Sequence, residues 1–317
     1  MKVTALAGGI GAGKFLRGLV RAVRPEDVTV IVNTGDDITM HGLHVSPDLD
    51  SVTYWLGDVF DRERGWGRRD ETFRATQELR AFDRDMAWFN LGDLDLATHL
   101  FRSNLLAAGA TLSDATARVA ARFGIGAGLL PMSDDRVETR VTVVADGEEL
   151  DLHFQEYWVR RGARDEVKTV RYDGADLARP APGVVEAIAR ADVVMLCPSN
   201  PVASIGPILA VPGIRPALAS RRDDVVGISG IVSGAPLAGM ADKLMPAAGV
   251  EVTAAGAAAC YDGLLGAWVI DETDAALAAR IENSGVRCGV TDTIMVDDAT
   301  SEALARFALE LVAPRAR

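Results

Sequence analysis

The chain is poor in the features that announce several common protein classes. Its 317 residues include only three cysteines, Cys197, Cys260 and Cys288. That odd, sparse set has no metal-like spacing. It argues against a disulfide scaffold and for a reducing compartment. No apolar run approaches the roughly 18 residues of a membrane span. The amino-terminal residues lack the basic-then-apolar pattern of an export signal. The expectation is therefore a cytoplasmic protein with no membrane partner. Positive charge is also scarce: 33 Lys and Arg stand against 45 Asp and Glu, a net charge of −12. General nucleic-acid binding is disfavoured by that balance, although a helix N-terminus and one Lys can still hold a small anion. There is no internal repeat and no low-complexity linker, and no Ser/His/Asp or Cys/His nucleophile set can be assembled.

What is present is strands alternating with helices. Lys2 to Ala7 reads as a short strand, followed at once by Gly8-Gly9-Ile10-Gly11-Ala12-Gly13-Lys14. Phe15, Leu16, Leu19, Val20 and Val23 then recur at helical spacing, and Val28 to Val32 is a second strand. Further strands are expected at Val193–Leu196, Val225–Ile228, Val250–Val252 and Gly266–Asp271, and helices at Ser113–Ala121, Val185–Ala189 and Ser301–Leu311. Asp61 to Asp134 has a mostly helical pattern. Val137–Val144 and Leu150–Arg160 flank Asp146-Gly147, a hairpin signal. The pattern predicts an α/β, Rossmann-like fold: a mostly parallel, doubly wound sheet with a mainly helical insertion and a β-hairpin.

Five segments carry candidate chemistry. The glycine turn after the first strand lets a backbone approach an anion at a helix start. It is no clean fingerprint. Gly9-x-Gly11-x-Gly13 has the wrong third spacing for a dinucleotide site, and Phe15 stands where a phosphate loop needs Ser or Thr. The competing reading is a plain strand-to-helix turn. The second segment crowds four carboxylates, Asp36, Asp37, Asp48 and Asp50, with Thr34, Ser46 and Ser51, just past a buried strand. A divalent cation or ligand hydroxyls would relieve their repulsion; the alternative is a solvated acidic loop. The third is Leu91 to His99, where Asp95 and His99 share a helix face. There the reading is even between a site and a helix whose Asp93 bonds backbone amides. Pro131 to Asp135 is the fourth. Pro198-Ser199-Asn200-Pro201, at a strand end, is the fifth and favours a base- or phosphate-contacting loop. The aromatics of Phe154 to Trp158 are placed on the hairpin and read as core. His41 and His44 fall inside the acidic segment, and His153 reads as structural.

Together these motifs resemble one family, the 2-phospho-L-lactate transferases of deazaflavin coenzyme F-420 biosynthesis, in its actinobacterial form. The matching segments are Ala7 to Gly11 with Lys14, Asn33 to Asp37, Ser46 to Asp50, Leu91 to His99, Leu130 to Asp135, His153 to Glu156, Pro198 to Pro201, Met240 to Lys243 and Thr291 to Thr293. They run in order through nearly the whole chain. The resemblance implies a magnesium-dependent (Mg2+) transferase acting on two small molecules. One is a guanosine-diphosphate-activated three-carbon acid: phospholactate, phosphoenolpyruvate or phosphoglycerate. The other is the deazaflavin Fo, whose terminal ribityl hydroxyl accepts the phospho-acid, releasing GMP.

In that frame Gly8, Gly9, Gly11, Lys14, Ser199, Asn200 and Pro201 contact the nucleotide. Asp50, Phe89, Asn90, Asp93, His99, Met132 and Ser133 face Fo. Asp37, Asp48 and Asp50 serve catalysis and hold the metal. A single α/β domain, 1–317, is expected, with the helical insertion at about 58–134 forming part of the deazaflavin side, and a homodimer. Relatives often carry Ser-Pro at Ser229-Gly230, and the residue at Asn90 varies among them. A nucleotide-sugar-binding regulatory protein of the same superfamily is the alternative. It would lack the deazaflavin-side set. A dinucleotide oxidoreductase is disfavoured by the fingerprint spacing.

Overall fold

The computed structural model describes residues 1–312; the end of the 1–317 expectation lies outside the described residues. Seven parallel strands form the central sheet: β1 Val3–Ala7, β2 Val28–Val32, β3 Gly128–Pro131, β4 Val193–Leu196, β5 Val225–Ile228, β6 Ala267–Asp271 and β7 Arg287–Thr291. Across the sheet they run β3-β2-β1-β4-β5-β6-β7. Central strands β1, β4, β5 and β6 are buried along their whole length, which is why they read as unbroken apolar runs: helices cover both faces of a parallel sheet. One core packs helix α1 (Gly9–Ala22) and the helix Asp298–Val312 on one face. The other packs residues such as Val184, Ile188, Ile205, Ile208 and Leu244 on the opposite face. Among the described residues no helix is long and apolar enough to cross a membrane.

The stretch between β2 and β3 holds a small hairpin (Ile38–Met40 and Leu43–Val45), then α2 Pro47–Leu56, α3 Arg74–Phe82, α4 Asp93–Ala107 and α5 Leu112–Arg122. The expected helical stretch is thus broken twice. Residues 61–69 are turns apart from one bridge between Phe60 and Arg68, and Gly128–Pro131 is a strand at the sheet's edge. β3 escapes a sequence reading because it has four residues and ends in Pro, which an edge strand tolerates. α5 starts with a reciprocal cap between Thr111 and Asp114.

A separate antiparallel sheet pairs Glu138–Ala145 with Glu148–His153 on one side and Glu166–Asp173 on the other. Asp146 and Gly147 both have positive φ, 52° and 85°, the geometry of the two-residue turn that Asp-Gly announces. Two expectations fail here. The second strand ends at His153, and Glu156–Arg160 is a π-type helical turn rather than strand. The third strand, with exposed Lys168 and Arg171, alternates too weakly to stand out. Val250–Val252 is a loop, not a strand.

α1 and the Asp298–Val312 helix meet at backbone distance. A Cβ on Gly18 would lie 2.1 Å from the Ser301 carbonyl carbon. Gly18→Ala is therefore expected to destabilise the fold by about 1–3 kcal/mol through overpacking, against the gain of about 1 kcal/mol at an exposed helical site. Urea unfolding of the pair checks it; a gain in stability would show that the helices do not pack this closely.

Candidate active site

Strand order reverses between β1 and β4, and the segments leaving these two strands pack on opposite faces of the sheet. The crevice beyond the ends of such strands is where open α/β sheets take ligands. A cleft of about 670 Å³ opens there.

The first wall is the glycine turn. α1 begins at Gly9 with no cap from the Gly8 position; the Gly9 amide serves Asp48, and the next first-turn amides and the positive dipole end face an anion. A Cβ on Gly8 would stand 2.5 Å from Asp48 Oδ2 and 2.6 Å from Ser204 Cβ; only glycine lets both neighbours close in. Gly8, Gly9, Gly11 and Lys14 all line the cleft. Opposite lies the loop after β4. The Ser199 hydroxyl donates to the Gly8 carbonyl at 2.9 Å and accepts from the Gly8 amide at 3.3 Å, so it latches the two loops together. Asn200 Oδ1 accepts from the Val202 and Ala203 amides at 2.9 and 3.1 Å, capping a π-type turn over Pro201–Ile205. Its Nδ2 is the donor it can still offer. Ser199, Asn200 and Pro201 line the cleft.

Between the walls sit buried acids. Asp36 and Asp48 line the cleft. Asn33, fully buried at the end of β2, extends its side-chain amide to Asp48 at 2.9 Å, Asp36 at 3.4 Å and the Ala203 carbonyl at 3.3 Å; its own Oδ1 accepts from the Gly35 amide at 2.8 Å. Gln155 donates to Asp36 at 2.8 Å. Burial pushes the Asp48 carboxyl up to about 7, although the Asn33 and Gly9 donors favour its anion. Asp36 is held well above the ordinary range by burial and then by the charges of Asp48 and Asp37. Asp37 is raised by burial, an effect partly offset by His44 (2.8 Å) and Ser46 (2.6 Å). Hard oxygens crowded until they resist ionisation are the donor set that suits a divalent cation.

Several expected residues stand elsewhere. Asp37 is tied to His44 and Ser46 and does not line the cleft. Asp50 is buried, and Arg102 takes both its carboxylate oxygens. His99 lies beside it, Nδ1 3.5 Å from Asp50 and Nε2 3.5 Å from Asp95. Asp50, Asp95 and His99 bring ligand atoms within 4.8 Å of one another, but the Arg102 guanidinium already stands where a cation would, and Tyr54 bonds Asp95. Asp93 takes its bland reading: its carboxylate bonds Thr72 and the Arg74 and Ala75 amides at the start of α3. Reciprocally, Glu71 accepts from the Leu94 and Asp95 amides at the start of α4. Met132 and Ser133 are fully buried, the Ser133 hydroxyl bonded to the Arg179 carbonyl at 2.7 Å, and neither lines the cleft. Phe89 and Asn90 do line it.

The sequence reading missed other parts. Trp66, from the Arg-rich turns, and Trp158, on the π-type turn, line the cleft at 36% and 38% exposure. A strand through Trp158 would have placed it in the core; the π-type turn brings it to the cleft. Gln155, a polar residue inside an aromatic run, was the available signal for that wall. Ile231, Ile294 and Met295 close the far side beside Gly230; nothing in the spacing of these three marks them.

Comparison with known proteins finds relatives along nearly the whole chain. A family model described as 2-phospho-L-lactate transferase CofD matches residues 3–306. A phosphoenolpyruvate transferase from Streptomyces griseus is 53% identical over 312 residues, 98% of each chain. One from Streptomyces coelicolor is 52% identical, again over 98% of each chain, and one from Mycolicibacterium smegmatis is 45% identical with the same coverage. The crystal structure of a Bacillus halodurans protein of the UPF0052 family superposes with a TM-score of 0.60 at 17% identity, covering 98% of this chain and 100% of that one; this likeness concerns the fold.

The raised carboxyls fix how stability depends on pH. Well below the ordinary Asp range, Asp48 is protonated in folded and unfolded chains alike. Between that range and about pH 7 the folded protein keeps a proton that the unfolded chain has lost, so stability falls as pH rises. Asp48→Asn is therefore expected to melt above the wild type at pH 8 in a chelator. The gap, of the order of a few kcal/mol, should close towards pH 4. Paired thermal melts check this, and a gap independent of pH would refute it.

Proposed function

The chain belongs to the 2-phospho-L-lactate transferase CofD family, and we propose that this transferase moves a phosphoenolpyruvyl group from its guanosine-diphosphate-activated donor to the terminal ribityl hydroxyl of the deazaflavin Fo, yielding dehydro-F-420-0 and GMP. Of the three acids the resemblance allows, phosphoenolpyruvate is favoured by the names of the Streptomyces relatives at 52% and 53% identity. The observation that carries the reading is the make-up of the cleft. A glycine turn with Lys14 forms one side, aromatics Trp66, Phe89 and Trp158 form another, and the acids bridge them: Asp48 against Gly8, Asp36 through Gln155 to the turn bearing Trp158.

In this reading the α1 amides and Lys14 hold the donor's diphosphate, with the loop at Ser199–Pro201 beside the guanosine end. Open aromatic faces suit a flat tricycle, and Asn90 offers polar contact to the ribityl chain. The attacking alcohol oxygen forms a bond to the phosphorus bearing the enolpyruvyl group. The bond from that phosphorus to the bridging oxygen breaks, and GMP leaves with the electron pair. The alcohol proton passes to a carboxylate oxygen of Asp48, which lines the cleft beside the glycine turn. No covalent enzyme intermediate is needed. Asp36 and Asp48 are the residues that would hold magnesium; when bound, it would supply positive charge against the phosphate oxygens. Asp37 and Asp50, expected as ligands, are engaged by other side chains and fall behind this pair. A cytoplasmic homodimer belongs to the same reading.

The test is turnover with Fo and magnesium, each guanylylated acid supplied separately, with GMP and deazaflavin product followed by chromatography. Product with the enolpyruvyl donor is expected. No product with any donor, while nucleotide sugars bind, would move the protein to the regulatory branch. Asp48→Asn should lower kcat by about 10²-fold or more. Trp66→Ala should raise KM for Fo several-fold and leave KM for the donor unchanged. Near-normal turnover of Asp50→Asn would remove Asp50 from the chemistry.

A further inference from the structure

Among the described residues, one fully buried guanidinium stands near the acids, and none of the proposed roles uses it. Arg102, on α4, is 2% exposed. Its Nη1 donates to Asp50 Oδ2 at 3.1 Å and to the His44 carbonyl at 3.3 Å, and its Nη2 donates to Asp50 Oδ1. One residue on, Ser103 Oγ accepts from the His44 amide at 2.8 Å. A single turn of α4 thus grips both acidic segments. It holds Asp50 in the first turn of α2, two residues from Asp48. It also holds the backbone of His44, whose ring bonds Asp37 at 2.8 Å.

We infer that Arg102 is a positioning residue that fixes the α2 first turn, and so the Asp48 carboxylate, against the glycine turn. Its geometry serves this: a planar fork meets a carboxylate at two points and resists rotation, which an ammonium cannot do. A guanidinium placed only to balance charge would not need to reach a third acceptor on a second segment. The inference rests on the proposed cation site at Asp36 and Asp48, and it assigns Arg102 no contact with substrate.

The experiment compares wild type with Arg102→Lys and with the doubly neutral Asp50→Asn/Arg102→Met. The second variant removes the buried pair together, so that no lone charge is stranded. Magnesium affinity is read by calorimetry, GMP affinity alongside it, and thermal midpoint and kcat separately. Arg102→Lys is expected to weaken magnesium binding and lower kcat, each about tenfold or more, with GMP affinity and KM for the donor unchanged. The double variant should regain most of the thermal midpoint but not the magnesium affinity. If it regains both, or if Arg102→Lys binds magnesium as wild type does with normal kcat, Arg102 only balances charge and the inference fails. Binding needs no turnover, so an error in the proposed substrates would show instead as an inactive wild type.

Discussion

One side-chain amide holds the cleft in register. Asn33 leaves β2 at the edge of the crevice and reaches Asp36, Asp48 and the Ala203 carbonyl at once. Two N–H groups serve three acceptors, so one is shared. The acceptors lie on three segments with different sequence origins: the turn after β2, the start of α2, and the π-type turn after β4. An apolar residue at this position would take one donor from each of the three, leaving Gln155 to serve Asp36 and the Gly9 amide to serve Asp48. Placing these acids anywhere but beside Asn33 would leave the glycine turn without its neighbour.

Around that amide the protein sorts its acids by partner. Asp50 is matched by a guanidinium, Asp37 by an imidazole and a hydroxyl, Asp93 by helix amides. Asp36 and Asp48 receive only neutral donors and face the cleft. The difference underlies the roles proposed above: Arg102 engages both Asp50 oxygens, whereas burial makes Asp36 and Asp48 reluctant to ionise. Sequence crowding made all the acids look alike; partner chemistry separates them.

The parts legible in the sequence were those set by local pattern. β1, the glycine turn and α1 were readable because an apolar run, small residues and a helical period follow one another without interruption. Asp146-Gly147 announced its turn because positive φ at both positions admits few residue types. The family resemblance supplied Phe89 and Asn90, which periodicity could not. What stayed hidden depended on distant partners. Nothing near Asp50 in the chain reveals Arg102, 52 residues on. Nothing near Met132 and Ser133 reveals that neighbouring segments bury them. Trp158 was misplaced because a strand was continued past His153 into a π-type turn, whose period matches neither helix nor strand templates.

The exchanged caps of α3 and α4 tie together the segments beside one wall of the cleft. Asp93, at the head of α4, satisfies amides that open α3, and Glu71, just ahead of α3, satisfies amides that open α4. Neither helix can fray at its start without unbonding the other. The two helix starts are thereby coupled, each holding a carboxylate or the amides that the other needs. Of the aromatics that line the cleft, Trp66 and Phe89 stand on this segment, whereas Trp158 stands on the π-type turn after the separate sheet.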